Sequence, residues 1–268
     1  MNLIDETAQH LCGTYPFPFR FSLLKGLSKS PAHALLQHRE STDTDALRFG
    51  RAFHQRLLTP GEEFLFWEKN LSYATKEGKL LRKEVQEKGL EPYQLQKGEL
   101  ASIDAMVTSL YRHKLVREML AEESVMEKQM YWMDHSYGVP MRGKLDQYIL
   151  DGGILVDYKS TEDASFDAFL YSIRKYRYNA QSAMYMDALV THGYKVNRSY
   201  LVAVEKSPPY GVGLFGLPIH NKDVMDRRYM DISIESGRAF YKRMAKVYKD
   251  CIENNEWERA YHENVLCV

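Results

Sequence analysis

Cysteine is scarce in this 268-residue chain: Cys12, Cys251 and Cys267 are widely spread. An odd, scattered set makes neither a disulfide framework nor a C-x-x-C metal pair, so all three are read as reduced bystanders. Long apolar runs are also missing; none approaches the roughly 18–20 residues of a membrane span. The N-terminus MNLIDETAQH is acidic and lacks the basic-then-apolar order of a secretory signal. A cytoplasmic protein without membrane partners is expected. Net charge is absent as well, because Lys+Arg and Asp+Glu both number 36. That excludes a whole-chain basic field and leaves any nucleic-acid contact to a local patch. No linker is rich enough in Gly, Pro or Ser to divide the chain, and no period of about 20–50 residues marks a solenoid. One domain over residues 1–268 is expected, with a helical portion to about residue 122 and a sheet with flanking helices after it.

What is present is periodic. Residues 20–38 read as two short helices broken at Ser30-Pro31, with Ser30 suited to an N-cap and Pro31 to the first helical position. In residues 43–58, Ala46, Phe49, Phe53 and Leu57 recur at helical spacing. A charged, solvated helix follows near TKEGKLLRKEVQEKG, then one long amphipathic helix over 97–120 with Leu100, Ile103, Met106, Val107, Leu110 and Leu115 as its stripe. From Ser124 the pattern alternates, and strands are expected at 124–134, on both sides of Asp151-Gly152, at 198–207 and at 211–219. Residues 164–192 read as helix in two pieces, and the tail from Asn221 to about Trp257 as one long helix. The sum is an α/β fold with a central mixed sheet of about five strands flanked by helices.

The stretch LDQYILDGGILVDYKS places an acid in each arm of a hairpin. With Asp151-Gly152 as a two-residue type I′ turn, Leu150 faces Gly153 and, counting back in step, Asp146 faces Asp157. Directly opposed residues have Cβ atoms about 4.5–5.5 Å apart, so two carboxylates there repel. The same count sets Lys144 against Lys159. Alternation gathers Arg142, Lys144, Asp146, Asp157 and Lys159 on one face and packs Met141, Leu145, Ile149, Ile154, Val156 and Tyr158 on the other. Two arrangements relieve the repulsion: neighbouring Lys and Arg on a solvated surface, or a divalent cation held between the carboxylates.

The same stretch resembles the core of the PD-(D/E)xK nuclease superfamily, with Asp146 as first acid and Asp157-Tyr158-Lys159 as the D-x-K. GRAFH with His54, YNAQSAMY with Gln181 and Tyr185, the opening LSKSPAHALL and the TKEGK at 75–79 narrow the likeness to the RecB-like group and its RecE (exonuclease VIII) type. Together these cover residues from about 21 to 190. Leu145 stands where many relatives carry Pro. The branch holding an iron–sulfur centre needs four cysteines near the C-terminus, which this chain does not supply, so no such cluster is expected.

The resemblance implies roles. Asp146, Asp157 and His54 are expected to ligate Mg²⁺, for which Mn²⁺ substitutes, together with the main-chain carbonyl of Tyr158. Glu127 is either an additional acid there or a solvated strand-edge residue. Lys159 is expected to hold the attacking water or stabilise developing negative charge. Gln181 and Tyr185, at i and i+4, share a helix face beside it. Gly50, one turn before His54, suggests close helix approach. Arg174, Lys175, Tyr176, Arg177 and Tyr178 form either a DNA-contacting mouth or a solvated helix end, and Lys76 and Lys79 belong to a second basic patch with Arg82 and Lys83.

The implied activity is a Mg²⁺-dependent exodeoxyribonuclease on linear double-stranded DNA, digesting 5′→3′ and leaving 3′ overhangs for strand annealing. The implied partners are DNA ends, further copies of the chain in a ring such as a tetramer, and an annealing protein. Two other readings compete: a RecB-like endonuclease or flap-cutting repair nuclease, and a DNA-binding module without catalysis.

Overall fold

The computed structural model describes residues 15, 17–40, 43–63, 65–68, 72, 74–89 and 93–258. Cys12, Cys267 and the MNLIDETAQH segment lie outside them; Cys251 is a buried thiol. Among the described residues no helix is long and apolar enough to cross a membrane.

Helices α1 (Phe21–Leu27) and α2 (Pro31–Arg39) meet at Ser30, whose hydroxyl accepts from the His33 amide at 3.2 Å, with Pro31 opening α2. The Thr44 hydroxyl caps α3 (Asp45–Leu58), which buries Phe49, Ala52, Phe53 and Leu57 at the expected spacing; Ala46 is exposed. Helix α4 (Lys76–Lys88) is solvated and buries only Gly78. On either side of it, β1 (Phe66–Glu68) and β2 (Tyr93–Leu95) pair in parallel. Three residues are too few to show a strand period, so neither was expected. The helix expected over 97–120 is two helices, α5 (Glu99–Arg112) and α6 (Lys114–Ala121). The intervening His113 is extended, and its ring accepts from the Val116 amide to start α6. Leu115 therefore leaves the stripe and is exposed.

The main sheet has the order β3 (Ser124–Asp134), β4 (Val139–Ile149), β5 (Ile154–Thr161), β6 (Arg198–Glu205) and β7 (Val212–Gly216). Only β5 and β6 are parallel. That pair requires a crossover, supplied by α7 (Phe166–Tyr176) and α8 (Tyr178–Thr191), which divide near Arg177 as expected. The tail is shorter in helix than expected: 3₁₀ turns at Asn221–Asp223 and Arg227–Ile232 precede α9 (Ile234–Asn254). Asp226 and Ser233 each accept a backbone amide, from Arg228 and Ser236, and these local bonds interrupt a continuous helix.

Both faces of the sheet are covered. Alternate residues of β6 separate cleanly, Leu201 and Ala203 packing with α1, α7, α8 and α9, Val202 and Val204 with α3, α5 and α6. Gly237 of α9 is the close approach to α8, since a Cβ there would lie 2.4 Å from the Asn179 carbonyl oxygen.

Candidate active site

The hairpin register is the expected one: Ile149 faces Ile154, Tyr148 faces Leu155 and Gln147 faces Val156. The turn differs from type I′, because its left-handed residues are Gly152 and Gly153 rather than Asp151 and Gly152. Beyond Gln147–Val156 the two strands part. The next amide, Tyr158 N, donates to Asp146 Oδ2 at 2.8 Å instead of to a strand carbonyl. Asp146 thus ends the ladder with its own side chain. Lys144 accordingly pairs with Gln129 of β3 and not with Lys159, correcting the count made from the turn. The Phe19 segment takes the open edge of β4, donating to the Pro140 carbonyl and accepting from the Arg142 amide, each at 2.8 Å.

A second irregularity sits opposite. The β3–β4 ladder pairs Met126 with Gln147 and Lys128 with Leu145 but omits Glu127, whose φ is +48°. A left-handed residue other than glycine breaks alternation. Met141 and Leu145 therefore pack on the α8 side of the sheet, whereas Ile149, Val156 and Tyr158 pack on the α3 side. The single apolar face expected for these residues is corrected by this switch at Asp146. Gln147, buried by the switch, is fully engaged: it donates to the Met119 carbonyl and Ser124 Oγ and accepts from the Tyr158 hydroxyl at 2.7 Å.

Helix α3 brings His54 to this break. Its Nε2 donates to the Tyr158 carbonyl at 2.9 Å, while Nδ1 lies 3.3 Å from Asp146 Oδ1 and 3.7 Å from Glu127 Oε1. The carbonyl expected as an ion ligand also orients the imidazole. Gly50 has no part in the helix approach, since a Cβ there would meet open space. His54, Glu127 and Asp146 present ligand atoms within 4.8 Å of one another. Glu127 is also held by Lys144. Asp157 stands apart from that trio: it is buried and ion-paired with Lys159 through Oδ2, and Oδ1 has no hydrogen-bond partner. A buried carboxylate requires a cation, and the Lys159 ammonium provides one.

The electrostatics follow from this packing. Burial lowers the His54 imidazolium, but the charge and hydrogen bond of Asp146, with a hydrogen bond to Glu127, outweigh it and raise the group to about 10. Asp146 is desolvated, yet His54, Lys159 and the Tyr158 amide hold its carboxyl below the usual range. Burial, with Asp146 nearby, pushes Asp157 up to about 6 against the pull of Lys159. Lys159 is buried too, but the two aspartates keep its ammonium charged well above the ordinary lysine range. The donor set suits a hard divalent cation: carboxylates and one imidazole, with a buried Asp157 oxygen lacking a partner.

On the other side of the break, Gln181 Nε2 donates to Tyr185 Oη at 3.3 Å, and burial raises the Tyr185 phenol to about 12. The Tyr185 ring lies across Gly143, where a Cβ would be 2.4 Å from Cε1. Gly143→Ala is therefore expected to cost about 1–3 kcal/mol in denaturant unfolding and to move Tyr185 off the sheet. Glycine in a strand signals such an approach, so this contact was detectable in principle.

The basic stretch divides. Arg174 is committed to Asp231 and the Arg228 carbonyl, and Arg177, left-handed at the α7–α8 junction, lies 4.6 Å from the Phe240 ring centroid. Arg174 is thereby drawn into bracing α7 against the following segment, while Arg177 rests on the Phe240 ring and stays exposed. Tyr178 packs under Lys159 and Tyr176 packs on Tyr178. Lys76 and Lys79 are exposed on α4, with nothing linking them to the acids.

Glu127→Gly tests the strained ligand. Relieving a left-handed glutamate is worth roughly 1–2 kcal/mol, and the added chain entropy of glycine removes about 0.5–1 kcal/mol of that. Melting is expected to change little while Mn²⁺ affinity falls about 10-fold or more by calorimetric titration. Unchanged affinity removes Glu127 from the site.

No curated protein matches the chain. Among solved structures, the protein named "Putative exonuclease" from Eubacterium rectale superposes with a TM-score of 0.57 at 15% identity, over 96% of this chain and 94% of that one. SSO0001 (TM-score 0.32, 10% identity, 69% and 97% covered) and VC1899 from Vibrio cholerae (TM-score 0.22, 14% identity, 85% and 56% covered) are too distant to carry an argument. The family model described as "PDDEXK-like domain of unknown function (DUF3799)" matches residues 20–260. With that match over most of its length, and a split β4–β5 hairpin carrying Asp146, Asp157 and Lys159, the chain belongs to this PDDEXK-like family.

Proposed function

We propose that this protein is a divalent-metal-dependent exodeoxyribonuclease acting on the ends of linear double-stranded DNA. The observation that carries the reading is the convergence of His54, Glu127 and Asp146 within 4.8 Å beside the buried Asp157–Lys159 pair. His54, Glu127, Asp146 and Asp157 would hold the cation. When bound, such an ion supplies Lewis acidity at a phosphoryl oxygen and lowers the pKa of a water.

The chain's own groups do the rest. Lys159 keeps its proton and places fixed positive charge where the phosphoryl oxygens gain negative charge. The Tyr178 ring, 4.9 Å from Lys159 Nζ, limits where that ammonium can go. His54 is oriented through Nε2, so Nδ1 is the nitrogen directed at the acids. Tyr185 stays protonated and, with Gln181, closes the α8 side of the site.

The exonucleolytic mode is supported by the structural neighbour named as an exonuclease, which matches over nearly both full lengths. Mg²⁺ as the ion, 5′→3′ polarity, 3′ overhangs for annealing, and a ring of several copies are proposed from the RecE resemblance. Linear duplex labelled at the 5′ or the 3′ end, alongside a covalently closed circle, tests the reading with Mg²⁺ and with EDTA. Loss of the 5′ label first, an intact circle and no reaction in EDTA are expected. A cut circle makes the protein an endonuclease, and no cleavage of any substrate overturns the proposal.

A further inference from the structure

Helix α1 adds a residue that the motif set does not contain. Lys25 Nζ lies 5.0 Å from the Tyr176 ring centroid and 5.5 Å from that of Phe21. Tyr176 stacks on Tyr178 at 5.6 Å, and Tyr178 lies under Lys159 at 4.9 Å. Lysine and aromatic groups thus form a continuous ladder from Lys25 to the catalytic ammonium. Lys175 joins it, with Nζ 5.3 Å from the Tyr176 centroid and 5.8 Å from that of Tyr171.

Beside this ladder is a cleft of about 410 Å³ lined by Tyr171, Tyr176, Tyr178, Lys206, Glu162 and Asp163, among others; Lys25 and Lys175 lie outside that lining, against the Tyr176 ring. Tyr171 is 63% exposed and Tyr176 36%, which leaves ring surface open to a stacking ligand beside the cleft. Among the described residues, neither Lys25 nor Lys175 is ion-paired with a carboxylate, in contrast to Arg174. The two acids of the lining are already engaged: Glu162 with Lys206, and Asp163 with the Ser165 amide. Burial and the neighbouring Lys159 charge both lower the Lys25 pKa, so its position opposes its own charge. An anion would relieve that.

Resting on the nuclease reading above, we propose that this cleft receives unpaired nucleotides of a DNA strand end, its bases stacking on Tyr171 and Tyr176 and its phosphates on Lys25 and Lys175. Stacking platforms interleaved with cations bind single strands without reading sequence. The strand therefore enters splayed from its complement, and the enzyme's substrate is a frayed end rather than a closed blunt one. Continuity of the ladder with Lys159 places the first paired phosphate at the acids.

The test uses the full chain and two otherwise identical linear duplexes, one blunt and one with three unpaired terminal nucleotides carrying a fluorescent base analogue. In EDTA, wild type is expected to quench the analogue and bind the frayed duplex more tightly. Tyr171→Ala is expected to weaken frayed-end binding roughly 5–100-fold relative to blunt, and Tyr171→Phe to restore it. Lys25→Ala and Lys175→Ala should each reduce the salt slope by about 0.7. Equal binding of the two duplexes by wild type, or no change in Tyr171→Ala, overturns the proposal. Because this binding is read without divalent ions, it is separable from the nuclease reading, which fails only if Mg²⁺ brings no cleavage.

Discussion

Asp157→Ala is expected to lower DNA cleavage by at least about 10²–10³-fold, the scale of losing one preorganised electrostatic stabiliser, while end binding persists. Two functions disappear with that carboxylate. One is an anionic oxygen facing the break between β4 and β5; the other is the counter-ion that holds Lys159 in place. Lys159→Ala removes the second function and leaves the first. Residues that act as a unit are non-additive, so the double variant is expected to be scarcely slower than Asp157→Ala alone. Stability supplies the control. Burial raises Asp157 to about 6, which means that its ionised form is worse placed in the fold than in water. Asp157→Asn, measured in EDTA near pH 8, removes that cost but strips the buried Lys159 ammonium of its counter-ion, so Asp157→Asn/Lys159→Met is expected to melt higher than Asp157→Asn alone, with activity lost in both. A pair retained for packing alone would keep its activity in the double variant. Cleavage by Asp157→Ala at the wild-type rate would end the assignment of this site.

Much of this centre was legible in the sequence because it depends on local rules. The hairpin register is the expected one even though the turn residues differ, since Ile149 still faces Ile154. The Phe49, Phe53, Leu57 spacing fixes which side of α3 meets the sheet, and so places His54 next to it. The β4 face switch was not legible. It arises from a glutamate in a backbone region that propensities assign to glycine, and the strain is tolerated because Glu127 is held by His54 and Lys144. That switch is also what turns Asp146 towards His54, still within electrostatic reach of Asp157 and Lys159. Contacts between distant segments were equally hidden: Lys25 reaches Tyr176 from α1, and Gly143 signals a close approach without naming Tyr185 of α8 as what approaches. Clustered basic residues were misleading for the same reason, because partners such as Asp231 and Phe240 for Arg174 and Arg177 come from far along the chain.

Metal-free protein is expected to become more stable as pH falls from about 9 to about 5, and divalent cations to reverse that trend. The signs are set by two groups. His54 is raised in the fold to about 10 from an ordinary 6.5, so its stabilisation is complete below 6.5 and is lost as pH rises towards 10. Asp157 is raised to about 6 from 3.8, so its ionisation above that range costs stability, and acidification through 6 removes the cost. Asp146 is depressed, and its contribution is lost only as pH drops below the normal carboxylate range, which sets the acid limit of the window. A cation competes with protons for these same groups, requiring neutral His54 and ionised Asp157. The melting-temperature gap between Mn²⁺-saturated and EDTA-treated protein is thus expected to widen from pH 5.5 to pH 8.5, with roughly one proton released per ion from His54 near neutral pH. Calorimetric titration in buffers of different ionisation enthalpy measures that release directly. A gap that stays constant across this range would mean that the ion binds away from His54 and Asp157, and the four-residue donor set would then have to be abandoned.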